Sequence, residues 1–176
     1  MPHAALELPW SLVRMRAADL PGVEALVARA FGPGRYAKAA ERLREGNQPL
    51  CELSIVACAA GRIIGCARQW PVRIGATPSV LLGPFAVEAD FRGRGVGAAL
   101  IRAACEAAAS AGKGLVLLVG DEAYFAPLGF SAAPMRRVVM PGPVDQRRVL
   151  ACALNPGAAD SLSGPVRVEV LNPASR

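Results

Sequence analysis

The run Phe91-Arg92-Gly93-Arg94-Gly95-Val96-Gly97 has the residue types and spacing of an anion-binding turn. Glycines at 93, 95 and 97 permit a tight turn and let a ligand approach the main chain closely. The helix that follows begins with amides that lack partners inside it, and these converge on a negative group. A single exposed contact of this kind contributes only ~0.3–1 kcal/mol, so several amides must act together. Arg92 and Arg94 add charge-assisted hydrogen bonds suited to a diphosphate.

Other phosphate-binding patterns fit less well. No Gly-Lys-Ser or Gly-Lys-Thr ends the turn, as a Walker loop requires. Gly93, Gly95 and Ala98 formally match the dinucleotide spacing G-x-G-x-x-A. That fold calls for an acidic ribose ligand about 20 residues later, where Gly112, Lys113 and Gly114 stand instead. The plain alternative is a glycine-arginine loop that simply opens a packed helix.

Nucleophile and metal chemistry have little support. His3 is the only histidine, which leaves a serine or cysteine nucleophile without the usual base. Cys51, Cys58, Cys66, Cys105 and Cys152 contain no Cys-x-x-Cys pair, so no metal site is expected, and Cys66 and Cys105, in apolar surroundings, read as small, reduced core residues.

The elements that must position the turn follow from periodicity and punctuation. A strand is predicted over residues 12–15. Asp19 and Pro21 then open a helix over 20–31 whose stripe is Val23, Leu26, Val27 and Ala30, ended by Gly32-Pro33-Gly34. A second helix is predicted over 36–45, stopped by Gly46. Strands over 53–58 and 63–72 are close enough to form an antiparallel hairpin.

The next strand, 79–87, contains Gly83 and Pro84, which mark a bulge or a local opening. A helix over 96–111 packs through Val96, Leu100, Ala103, Ala104 and Ala107. A strand over 115–119, a short helix over 122–128 and strands over 137–140, 149–154 and 166–171 complete the chain. This order implies one α/β domain over residues 1–176, a mixed sheet with helices on its faces.

Composition narrows the functional classes. With 53% apolar residues among 176, the chain can bury enough surface to fold. No apolar run reaches the roughly 20 residues needed to span a bilayer, and residues 1–10 lack the pattern of a secretory leader. The expectation is a cytoplasmic protein with no membrane partner. The net charge of +6 is scattered rather than blocked, which argues against nucleic acid as a partner.

The segment Leu81-Leu82-Gly83-Pro84-Phe85-Ala86-Val87 and the glycine turn are followed by Gly120-Asp121-Glu122-Ala123-Tyr124-Phe125-Ala126-Pro127-Leu128-Gly129-Phe130. On these segments the chain resembles the GCN5-related N-acetyltransferase family, and its YhbS-like branch in particular. The similarity runs over residues 12–171 and is most specific over 81–130.

The resemblance implies a centrally splayed sheet that admits the pantetheine arm of acetyl-CoA as cosubstrate. It places the cofactor on Phe85, Ala86 and Val87, and on Arg92, Gly93, Arg94, Gly95, Val96 and Gly97. The amide near Val87 would polarise the acetyl carbonyl while its side chain packs in the core. A primary amine would attack directly, with Glu88 or Asp121 taking its proton, and with Asp90, Glu52 or a water relay left open. Asp121 also reads as a cap for the helix after it.

In many members of this family a tyrosine four residues before the glycine of the terminal Gly-Phe pair protonates the leaving thiolate. Here that position is Phe125, and Tyr124 stands one place earlier. One residue on a helix turns a side chain by roughly 100°, so Tyr124 serves as the acid only if the helix is shifted; otherwise it supports the pocket. Phe125 and Phe130 are assigned to packing.

Residues 35–47 fall where the family covers its acceptor site, and Trp70 either lines that cleft or anchors the sheet. A small-molecule amine is expected rather than a protein amine, because no recognition appendage is evident. Glu88, Asp90 and Asp121 would select a cationic amine if their fields converge. The competing reading is a non-catalytic acyl-CoA sensor or interaction protein. Pairing of the C-terminal strands between subunits would give a homodimer.

Overall fold

The computed structural model describes residues 9–170; residues 1–8, among them His3, and the end of the last predicted strand at Leu171 lie outside them. After β1 (Ser11–Arg14), helix α1 (Leu20–Phe31) starts with proline in its first turn and ends at Gly32, whose N–H donates to the Ala28 carbonyl. Its buried stripe is Val23, Leu26 and Val27.

The predicted helix over 36–45 is replaced by two 3-10 turns, Pro33–Ala37 and Ala39–Leu43, separated by an extended Lys38. Its alanines satisfy helix propensity, but only Ala39 and Leu43 are buried. Two small anchors do not make the continuous apolar stripe that stabilises a helix through packing. The segment instead lies as a strap across the sheet.

Strands β2 (Ile55–Ala59) and β3 (Arg62–Ile74) form the expected hairpin, turning through Ala60 and Gly61, both with positive φ. Such a turn matches the right-handed twist of paired strands. Strand β4 (Thr77–Val87) runs antiparallel to β3. Its register slips where Gly83 and Pro84 lie opposite Arg68 alone, between the pairs Ala67↔Phe85 and Gln69↔Leu82. This is the bulge expected at Gly83-Pro84. The displaced Gly83 carbonyl accepts a hydrogen bond from the Trp70 indole at 2.6 Å.

Helix α2 (Val96–Ser110) carries the chain across to β5 (Leu115–Val119), which is parallel to β4. The first turn after β5 is α3 (Glu122–Phe125), continued by a 3-10 turn over Ala126–Leu128. Strand β6 (Val138–Val139) is shorter than predicted, since the chain leaves the sheet before Pro141. Strand β7 (Val149–Ala153) pairs antiparallel with β5, and β8 (Gly164–Val168) pairs with the end of β3 and with β6.

The eight strands form one mixed sheet with the path β1-β2-β3-β4-β5-β7 and β8 beside β3. Alternation along the strands separates its two faces. Val80 and Val116 pack with Leu100 and Ile101 of α2, whereas Leu81 and Leu117 pack with Trp70 and Leu43 on the other side. Helix α1 covers Val56, Cys66 and Ala86. Among the described residues, no helix is long and apolar enough to cross a membrane.

Candidate active site

Strands β4 and β5 pair only through Val80↔Val116 and Leu81↔Leu117 and then part. Beyond the bulge, β4 is held by β3 alone. Glu88 N–H donates to the Ile64 carbonyl at 2.8 Å. Because successive residues turn to opposite edges of a strand, the main-chain groups of Phe85 and Val87 face the gap. The Val87 carbonyl accepts from Arg92 Nε at 3.1 Å, which ties the strand to the turn.

The gap opens into a cavity of about 310 Å³. Phe85, Ala86 and Val87 form one wall; Arg92, Gly93 and Gly97 form its base, and Ala30, Phe31 and Tyr124 close it. Arg94, Gly95 and Val96 stand behind this lining. Arg94 lies over the Phe91 ring, Val96 is buried, and Gly95 precedes α2 with a φ of +81°. Gly93 has a φ of +72°. Side chains other than glycine seldom adopt such angles, so the turn needs both residues.

The hydrogen bonds around the turn define what it offers. Phe91 and Arg92 N–H donate back to Glu88 and Ala89, and Ala99 N–H donates to Gly95. The intervening amides, from Gly93 to Ala98, make no main-chain hydrogen bond among the described residues. They are available to an anion at the start of a four-turn helix.

Across the gap, Asp121 caps α3 by accepting from Ala123 N–H at 3.1 Å. That cap fixes where the turn begins and hence where its side chains point. Phe125 is 7% exposed, stands on Gly120 and packs edge-on against Phe130. Tyr124, 47% exposed, instead lines the cavity, with its hydroxyl against Gly97 and its ring 6.3 Å from Phe85. Partial burial pushes its phenol pKa upward, because desolvation disfavours the charged form.

The other candidate carboxylates are dispersed. Glu88 is held by Arg29 at 2.5 Å, while Asp90 and Glu52 are exposed. Neither Glu88 nor Asp121 lines a cavity beside β4.

A second cavity, of about 220 Å³, lies between α1 and the strap. It shares Phe31 with the first, and β4 supplies Pro84 to one and Phe85 to the other. The two spaces therefore meet at the bulge. Trp70 does both things expected of it, lining this cavity and bonding to the bulge.

Arg44 lies within the segment 35–47 expected over the acceptor site, but sequence reasoning missed Glu24 and Arg68, which line the same cavity from α1 and β3. Arg68 Nη1 donates to Glu24 Oε1 at 2.7 Å, and the guanidinium lies 4.6 Å from the Trp70 ring centroid. The available signal was an arginine inside the strongly apolar strand 63–72, opposite Gly83 and Pro84.

Comparison with known proteins agrees with this geometry. Residues 52–132 match the family model described as an acetyltransferase (GNAT) domain. The uncharacterized N-acetyltransferase YhbS of Escherichia coli K12 is 30% identical over 118 residues, spanning 65% of this chain and 70% of that protein. A crystal structure of E. coli YhbS in complex with CoA superposes with a TM-score of 0.79 at 26% identity, covering 96% of this chain and 94% of that one. A GNAT family acetyltransferase from Brucella melitensis in complex with acetyl-CoA gives 0.67 at 25% identity, covering 92% and 96%. With its parted central strands and glycine turn, the chain belongs to the GCN5-related N-acetyltransferase family.

Proposed function

We propose that the protein transfers an acetyl group from acetyl-CoA to the primary amine of a small molecule by direct attack. The observation that carries this reading is the continuity of the site: free amides at one end, the unpaired edge of β4 in the middle, and a second cavity beyond Pro84. The residues suit CoA. The amides of 93–98, with Arg92 and Arg94, answer a diphosphate, and the cavity beside Phe85 answers a narrow, largely apolar arm. Relatives carrying CoA and acetyl-CoA support the same assignment.

Acetyl-CoA supplies the activated thioester. The gap-facing amides of Phe85 and Val87 are the donors for its carbonyl oxygen, where negative charge develops during attack. Tyr124 holds the proton for the departing sulfur, and its raised pKa keeps it protonated at neutral pH. Glu24 accepts the proton that leaves the amine, since it lines the cavity on the acceptor side. Glu88 and Asp121 are the competing bases, reaching the amine only through water. Neither cavity is lined by cysteine or serine, which favours direct attack over an acyl-enzyme.

The strap closes over a space of about 220 Å³, a size suited to a small molecule. The test is turnover of acetyl-CoA with a panel of small amines and lysine-containing peptides, followed by thiol release and product mass. Acetylation of a small amine is expected. CoA binding without turnover would identify a sensor instead, and exclusive acetylation of peptides would overturn the substrate class.

A further inference from the structure

We infer that the acceptor carries a carboxylate beside its amine, held by Arg68 and the strap cations of the second cavity. This rests on the reading of that cavity as the acceptor site. Four cations, Arg35, Lys38, Arg44 and Arg68, line it against two carboxylates, Glu24 and Glu41. Both carboxylates are already paired, Glu24 with Arg68 at 2.7 Å and Glu41 with Arg44 at 2.8 Å. Among the described residues, Arg35 is hydrogen-bonded only to the Tyr36 hydroxyl and the Gly32 carbonyl, and Lys38 lies over the Phe31 ring. Positive charge is therefore left uncompensated, the opposite of what a cationic acceptor needs.

Arg68 gives this excess a direction. It is 6% exposed, yet its Nε is buried without a hydrogen-bond partner among the described residues. Buried donors are ordinarily satisfied, and one that is not points to a missing acceptor. Glu24 occupies Nη1 and leaves the Nε edge of the fork, the edge that pairs with a planar carboxylate through two parallel bonds. Val27, Phe31, Tyr36 and Trp70 supply apolar walls around these charges. The class that fits is an amino acid-like molecule with an apolar body, its amine turned toward Phe85.

The test uses the full chain loaded with CoA and calorimetric titration of N-acetylphenylalanine and N-acetylphenylalaninamide, which differ only in the carboxylate. The acid is expected to bind at least about tenfold more tightly, as one hydrogen-bonded charge pair implies. Arg68→Met should abolish that preference. Lys38→Gln, on the exposed strap, should lower affinity for the acid about threefold with no matching loss for the amide, and it serves if the buried substitution fails to fold.

Equal binding, preference for the amide, or binding of neither ligand overturns the inference. CoA binding is measured first: its failure removes the functional reading and this inference together. Intact CoA binding with preference for the amide removes this inference alone.

Discussion

The Tyr124 hydroxyl lies against the Cα of Gly97, in the space that a side chain at 97 would fill. The contact joins α3, which follows β5, to the first turn of α2, which follows β4. It therefore spans the opening between the two parted strands. A Cβ at 97 would also come within 3.1 Å of the Phe85 ring. Gly97→Ala should displace the phenol and lower kcat for acetyl transfer about tenfold, with a smaller rise in the KM for acetyl-CoA. Steady-state kinetics of the variant check this.

Tyr124→Phe removes the proton donor and leaves the ring. General acid catalysis contributes roughly 10²–10⁴-fold, so kcat should fall by about that range with the KM for acetyl-CoA little changed. The sign of the pH dependence follows from burial. A phenol whose pKa is raised above 10 keeps its proton throughout the neutral and mildly alkaline range. The wild-type rate should show no loss assignable to this group at neutral pH, its alkaline loss should fall at higher pH than an ordinary tyrosine would give, and the alkaline profiles of the two proteins check it.

Phe125 stands at the family's tyrosine position but points into the core. Phe125→Ala should cost about 3–5 kcal/mol in stability, the range for deleting a buried aromatic ring, measured by urea denaturation. Phe125→Tyr added to Tyr124→Phe should not restore activity, because the hydroxyl would enter the cluster around Phe130 rather than the cavity.

The contrast between these two aromatics shows how far the sequence could be read. Their roles depend on the start of α3, set by Asp121 accepting from Ala123, and a one-residue uncertainty there exchanges cavity for core. Helix α1 and strand β5 have the bounds expected, because strong apolar patterns end there at Gly32 and Gly120. The glycine turn between β4 and α2 was legible because the residues that shape it are adjacent in the chain. The second cavity was legible only in part: residues 35–47 were expected to cover it, but Glu24 and Arg68 join the strap only after α1 and β3 have packed. The strap itself misled, its alanines favouring a helix that its burial could not stabilise.

Arg92 links the turn to β4 by donating to the Val87 carbonyl, and it lines the cavity floor. Arg92→Gln should weaken CoA binding about tenfold, losing a charge-assisted contact, and the defect should shrink as salt is raised. Titration calorimetry at two ionic strengths reads both effects.

Outside the site, the Cys105 thiol of α2 and the Cys152 thiol of β7 lie side by side. The neighbouring Cys105 thiol stabilises the Cys152 thiolate and brings its pKa down to about 7, while Cys105 is pushed upward. Thiolate forms as pH rises through the pKa, so alkylation of Cys152 should be half-maximal near pH 7 and precede that of Cys105. Cys105→Ala, which removes the donor, should move the midpoint to higher pH. Peptide mass spectrometry after timed iodoacetamide treatment checks both.

A crystal structure with acetyl-CoA tests the whole arrangement most directly. The account requires the diphosphate on the amides of residues 93–98, the pantetheine arm beside Phe85 and Val87, and the sulfur within hydrogen-bond reach of the Tyr124 hydroxyl. A diphosphate bound away from the turn, or an arm that does not enter the opening between β4 and β5, would contradict it.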